Sequence, residues 1–306
     1  MARTEQSDIT LHRVGLHKEI MKLFSESPRV YYKGMATEFT SNQVHEIFAQ
    51  EGDFGLPGVI GSGTAIPFDD FAMPYSITVT PKKRAIGFSV TTEAIETEQG
   101  YGVISRRASK LADSMLKGRE AEVANHMNLA TSTAAGDKGP DAVALASTSH
   151  PLADGSTWSN YGVSSALVTL GVQNLENAVQ EIRSQKSHRG DPFPAMGPYI
   201  LIVPPGLEML AKRITGAKSY PQSNDNDPNP VGDTISHVLV NPYITSTTTW
   251  ALLSSNKNEH GLGFLVRRGM RTDMWKDHNH DAMMTALTEI YTKFNRGARG
   301  FQYLNT

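Results

Sequence analysis

Three clusters in this sequence carry side chains able to do chemistry. In the run WKDHNHD, residues 275–281, His278 and His280 alternate, so both project to one side of an extended chain, with Asp277 and Asp281 beside them. Imidazole suits zinc, and a metal-dependent enzyme built on His278, His280 and Asp281 is the activity such a set would support. No third, distant ligand accompanies them, and a polar loop between strands accounts for the run more simply. Ser149, His150 and Asp154 supply the side chains of a hydrolytic triad, yet they crowd into a single loop with no strained strand-to-helix serine turn. Gly61-Ser62-Gly63 lacks the lysine of a phosphate loop and does not run from a buried strand into a helix. No catalytic residue, cofactor site or metal site follows from these patterns. Two small basic groups, Arg296 with Arg299 and Lys82 with Lys83 and Arg84, have little aromatic interleaving and suit a solvated or subunit-contact surface better than nucleic acid.

The elements that must position anything this chain does are arranged around one long run, 102–134, with no proline and one interior glycine, Gly118. It predicts a helix of roughly 33 residues and about 50 Å. Ile104, Ala108, Leu111, Met115, Val123, Met127 and Ala130 make a stripe at spacings of three and four, so one face is buried. Arg106, Arg107, Lys110, Asp113, Lys117, Glu120 and Glu122 are assigned to the opposite, solvated face, with Asp113 and Lys117 an ion pair in the favourable order. Such a helix is a strut on which a sheet is laid.

Ahead of it, residues 8–25 form a weak amphipathic segment, an arm to pack on a neighbour. Residues 51–70 hold glycines at 52, 55, 58, 61 and 63 and prolines at 57 and 67, so no regular core element forms there. Ile77 and Val79, then Ile86, Phe88 and Val90, predict a β-hairpin with Pro81, Lys82, Lys83 and Arg84 at its turn. Beyond the strut, a glycine and proline cluster at 134–140 stops the helix, and a second unit begins near His150. Within it we expect a helix at 171–185, a buried strand at 199–203, a helix carrying Leu207, Leu210, Ala211 and Ile214, and a long exposed loop at 219–233. Strands follow at 237–240, 248–253, 262–267 and 288–294. In the last, Thr288, Ile290, Thr292 and Phe294 form the apolar face and Glu289, Tyr291 and Lys293 the polar one. No internal repeat is present.

The chain has 306 residues, enough for two compact units, and its 39% hydrophobic content can fill a core. Its formal charge of -2 provides no global field for nucleic acid or an anionic membrane. With no cysteine, disulfides and thiolate chemistry are excluded. The first residues contain no signal-peptide core and no segment approaches a membrane span, which places the protein in a cytoplasm. Without a catalytic constellation, and with extensions that cannot pack on their own body, the sequence reads as a building block.

Four stretches in order, AIGFSVTTEAIETEQGYGVISRRASKLADSM at 85–115, TSHPLADGSTWSNY at 148–161, YILIVPPGLEMLAKRI at 199–214 and NDNDPNP at 224–230, resemble major capsid proteins of tailed bacteriophages, particularly Mu-like major head subunits. The resemblance spans about 71–294. It implies an α+β fold of the Hong Kong 97 phage capsid type: an N-terminal arm at 1–48, an extended loop at 49–92 formed as a β-hairpin, a peripheral domain with the spine helix at 93–149 and 262–306, and an axial domain at 150–261. It implies an icosahedral head shell of pentamers and hexamers in the virion, assembled in the host bacterial cytoplasm around double-stranded DNA without sequence-specific contact. It further implies a separate scaffolding protein, a portal and a decoration protein as partners, and no membrane. Candidate subunit-interface residues are Phe54, Leu56, Ile60 and Ile66 on the loop, Lys82, Lys83 and Arg84, and Tyr220, Asn224, Asp225 and Asn226, where axial loops would meet. The alternatives are an encapsulin-like nanocompartment shell, the metal-dependent enzyme, and a plain surface-binding protein.

Overall fold

The computed structural model describes residues 18, 22, 31–50, 52, 54–69, 75–97, 101–162, 169–193, 195–217, 229–277 and 279–305; the segment expected at 8–25 lies almost wholly outside them. In chain order the elements are α1 (Tyr31–Met35), β1 (Thr37–Thr40), β2 (Glu46–Gln50), β3 (Tyr75–Val79), β4 (Lys82–Thr91), α2 (Thr92–Thr97), α3 (Tyr101–Asn128), β5 (His150–Pro151), β6 (Thr157–Trp158), β7 (Tyr161–Gly162), α4 (Val172–Arg183), β8 (Tyr199–Val203), α5 (Glu208–Gly216), α6 (Val231–Thr234), β9 (Ile235–Val240), β10 (Trp250–Ser254), β11 (Leu262–Asp277), β12 (Ala282–Asn295) and β13 (Phe301–Leu304). Two larger sheets carry the fold, one ordered β1-β11-β12-β4 and the other β7-β13-β10-β8-β9. Mixed helix and strand, as expected, the chain is α+β.

The long helix α3 has 28 residues, about 42 Å of rise. It stops earlier than its lack of prolines implied. Asn128 is the reason, because its Nδ2 donates to the Tyr243 carbonyl at 3.0 Å while its Oδ1 accepts from the Thr245 amide at 2.9 Å, fastening the helix end to a loop. An asparagine held this way favours leaving the helix over continuing it. Asp113 and Lys117 do form the expected ion pair, at 2.7 Å on the solvated side.

The expected hairpin is replaced by two different pairings. β3 pairs antiparallel with β2, from Glu46↔Val79 to Gln50↔Tyr75, whereas β4 runs ten residues along β12, from Ala282↔Thr91 to Tyr291↔Lys82. The link Thr80-Pro81 could not have closed a tight hairpin, since the favoured two-residue turns need positive φ where proline is fixed near -65°. The hairpin of this region is therefore β2–β3, with residues 51–74 between its strands. Its base packs on the four-stranded sheet, where Val79, Phe39, Phe48 and Ile77 meet Leu265 and Phe294.

Both faces of β12 are buried, so the face read as polar from the sequence is core as well. Leu287, Glu289, Tyr291 and Lys293 are all buried, and their side turns toward α3: Leu287 packs with Ala108, Leu111, Ala112 and Met115, and Glu289 pairs with Arg119. Phe294, on the other side, stacks on Phe48 with ring centroids 4.2 Å apart. Glu120, assigned to solvent, is buried as well, and its Oε2 accepts the Tyr32 amide proton at 2.9 Å.

The second unit matches its expected elements. α4 buries Leu175, Ala178, Val179 and Ile182, β8 is buried throughout, and Pro205 sits in the first turn of the short 3-10 segment leading into α5. Two corrections apply. The expected exposed loop packs from residue 229 on, where Asn229 Nδ2 donates to the Ile214 carbonyl at 2.7 Å and Val231 is buried. The strand β13, expected with the first sheet, lies inside the second between β7 and β10, since Phe301, Tyr303 and Leu304 all carry apolar side chains that only a two-sided core can cover.

Candidate subunit interface

The loop between β2 and β3 is extended and exposed across the described residues 54–69. Among the described residues thirteen large hydrophobic side chains are exposed, and eight of them fall between Val44 and Phe68. Phe54, Leu56, Val59, Ile60, Ile66 and Phe68 are all there, Leu56 at 80% and Phe68 at 98% exposure. A folded chain does not leave such a contiguous apolar set in water without something to cover it. The glycines and prolines explain why it stays extended: there is no periodic apolar face for the chain to fold onto itself. An internal tether holds it, a two-pronged contact from Arg189 Nη1 and Nη2 to the Asp69 carboxylate at 2.8 and 3.0 Å. Asp69 Oδ2 also accepts the Gly55 amide proton at 2.6 Å, closing the loop across its neck.

Of the three basic residues after Pro81, Lys82 and Lys83 are exposed at the start of β4, available to a neighbour. Arg84 turns inward instead. Its Nη2 bonds Glu122 Oε2 at 2.6 Å, and its guanidinium lies 5.0 Å from the Tyr291 ring centre. Tyr220, Asn224, Asp225 and Asn226 lie outside the described residues.

Beneath this surface runs a buried polar network that fixes β12 on α3. Arg119 pairs with Glu289 and donates from Nη1 to the Tyr32 hydroxyl at 3.2 Å, and its guanidinium sits near the faces of Tyr32, Phe264 and Tyr291. Lys293 Nζ donates to Asp137 at 2.8 Å. Burial, countered by Arg84 and Arg119, pushes the Tyr291 phenol upward. These residues carry a signal the sequence reading missed: Arg119, Glu122 and His126 continue the spacing of Ala108, Leu111 and Met115, so position put them on the buried stripe though residue type argued for solvent.

His126 lies in the same layer, with Nδ1 2.8 Å from Asn295 Oδ1 and Nε2 3.2 Å from the Gly263 carbonyl. Burial first, and then the Lys293 cation, lower its pKa to about 3. The folded chain therefore keeps this ring neutral while the unfolded chain protonates it below its usual pKa of about 6.5. Stability contributed by the neutral ring is complete above that value and is lost as pH falls toward about 3. Urea unfolding of the unassembled subunit should show about 2 kcal/mol less stability at pH 5 than at pH 7.5 from this group, and His126→Gln should flatten that slope. An unchanged slope in the variant would show that His126 is not the titrating group.

WKDHNHD forms the turn between β11 and β12; His280 Nδ1 is 2.7 Å from Asp277 Oδ2, and Asp281 accepts the Thr92 hydroxyl proton through Oδ1 at 3.0 Å. His278 lies outside the described residues, and among those described no group of three or more potential ligands could hold a metal. His150 turns away from Ser149, bonds Asp141 Oδ2 at 2.6 Å and Asn160 Oδ1 at 3.1 Å, and stacks on Trp158. Residues 61–63 sit on the exposed loop with no helix after them.

Comparison with known proteins agrees with this picture. The family described as "Phage capsid protein" matches residues 74–299. The virus-like particle of Pyrococcus furiosus is similar in structure, with a TM-score of 0.54 at 14% identity over 97% of this chain and 98% of that one. The procapsid of bacteriophage JBD30 gives a TM-score of 0.55 at 10% identity, covering 98% of this chain and 75% of that chain. The capsid of a native GTA particle gives 0.54 at 12% identity, covering 91% of each. No curated protein matches the sequence.

Proposed function

Because this chain belongs to the phage capsid protein family, it is a shell subunit of a phage head, and we propose that it closes with copies of itself into an icosahedral shell of pentamers and hexamers around double-stranded DNA. The observation that carries this reading is the exposed apolar loop at 54–68, a surface that one copy alone cannot cover. Each subunit would touch several others, so modest contacts add up around a closed surface and assembly becomes steep in concentration.

In this scheme the β2–β3 hairpin is the extended loop, α3 the spine of the peripheral domain, and the five-stranded sheet with α4 and α5 the axial domain. Phe54, Leu56, Ile60 and Ile66 bury against a neighbouring subunit. Lys82 and Lys83 contact the same or a third copy, and Arg84 supports them from within. Tyr220, Asn224, Asp225 and Asn226 belong to the contacts around the axes. The N-terminal arm is the stretch expected at 1–48. A separate scaffolding protein, a portal and a decoration protein complete the particle, assembly takes place in the host cytoplasm, and the subunit type is Mu-like. The chain has no catalytic role in this scheme. Membership in a phage capsid family does not favour a nanocompartment shell, and the metal-dependent enzyme finds no support in the turn at 277–281.

Negative-stain electron microscopy and sedimentation of the purified protein at rising concentration test the proposal. Closed shells of one size, or rings and sheets that a scaffold converts to shells, are the expected result. A monomer or dimer at every concentration, with scaffold present, would overturn it.

A further inference from the structure

Where the base of the β2–β3 hairpin meets the two large sheets there is a cleft of about 380 Å³. Gln50 at the end of β2, the turn 258–261 before β11 and the segment 296–299 after β12 form its walls. Its lining is cationic. Arg296 and Arg299 both face it, and Lys257 is close enough to act on His260. Among the described residues Glu259 is the one carboxylate in the wall, and its oxygens are already engaged, Oε2 accepting from Ser254 Oγ at 2.5 Å and Oε1 from Asn256 Nδ2 at 2.9 Å.

His260 also lines the cleft, is only 4% exposed, and its Nδ1 has no hydrogen-bond partner among the described residues. Burial, then Arg296 and Lys257, pull the His260 pKa down to about 4, so near neutral pH the ring is uncharged and carries a single N–H. Arg296 is fixed by its backbone, whose amide donates to the Gly261 carbonyl at 2.7 Å, and by the Phe39 ring 5.6 Å from its guanidinium. Among the described residues no carboxylate pairs with it. A guanidinium fork with no carboxylate partner is the donor that planar and tetrahedral oxyanions select.

We propose that this cleft binds one small oxyanion, a phosphate or carboxylate group, held by Arg296 with Arg299 beside it. The group could arrive as a free ion or on a side chain of a second copy. The second source has a candidate in this chain, because residues 51–81 contain no lysine or arginine and, besides the Asp69 held by Arg189, carry Glu51, Asp53 and Asp70. Either way the ligand would bridge the hairpin base and both sheets, coupling the loop's direction to their relative position.

Isothermal titration of the full-length unassembled subunit with inorganic phosphate, at constant ionic strength and pH 7.5, tests this. One saturable site per subunit is expected, with the imidazole resonances of His260 shifting over the same titration. Arg296→Gln should weaken binding at least tenfold, while Lys33→Gln, an exposed change elsewhere, should leave it unchanged. Competition by a synthetic peptide of residues 51–70 assigns the natural group to a carboxylate of a second copy; its failure to compete assigns a free oxyanion. Absence of a saturable site in the unaltered protein overturns the proposal, as does binding that persists undiminished in Arg296→Gln. Since the readouts need no shell, their failure and a failure to assemble are separate results.

Discussion

Replacing Glu289 by alanine should destabilise the unassembled subunit by about 3–5 kcal/mol, the cost of leaving a buried cation without its counter-charge. The carboxylate is fully buried and Arg119, its partner, is nearly so. Arg119 cannot shed its proton, so it must either stay charged in the core or pull out toward water. Pulling out would break its bond to the Tyr32 hydroxyl and disturb the ring faces around it, loosening α1 from α3. The double change Arg119→Met with Glu289→Leu removes both charges and keeps most of the volume, and should recover most of the loss. Urea unfolding of the three proteins checks this, using unassembled subunit because assembly would add stability by mass action. A single variant within about 1 kcal/mol of the parent would mean that the pair is not closed off from solvent as described.

The second large effect concerns assembly and leaves folding alone. Replacing residues 54–68 with a short glycine and serine linker should leave the unfolding midpoint of the subunit nearly unchanged, since the packed residues Phe48, Ile77 and Val79 lie in the retained base. It should raise the concentration needed for shells more than a hundredfold. Burying even two of the exposed side chains at a contact is worth about 3 kcal/mol or more, and every 1.4 kcal/mol is tenfold in an equilibrium constant. Phe54→Ser with Phe68→Ser is the milder version and should give a smaller rise in the same direction. Shells forming at the parent's concentration after the replacement would remove the loop from the interface.

Much of this was readable in the residues, for identifiable reasons. α4, β8 and α5 follow from strong local periodicity, and the exposed loop from glycines and prolines that forbid anything else. The pairing of β3 and β4 was not readable by adjacency, because β3 pairs with β2 across the intervening loop while the partner of β4, β12, lies about two hundred residues downstream. The polarity of β12 misled for a related reason. Residue type marks Glu289 and Lys293 for solvent, and only the matching charges, Arg119 on α3 and Asp137 in the segment after it, make burial tolerable, a fact held by distant segments jointly. The interface candidates divide along the same line: loop residues announce themselves by exposure without periodicity, whereas Arg84 looks like its neighbours Lys82 and Lys83 until Glu122 is placed beside it.

The position of β13 inside the five-stranded sheet sets a timetable for synthesis. Its neighbours β7, on one side, and β10, on the other, leave the ribosome first, and the sheet has a gap between them until residues 301–304 follow. Closing that gap draws together segments made far apart in time, a slow, high-contact-order step. The apolar loop, by contrast, emerges early. A nascent subunit would thus display its adhesive surface well before its body is complete, a period in which crowded polysomes invite misassociation and a chaperone has most to do.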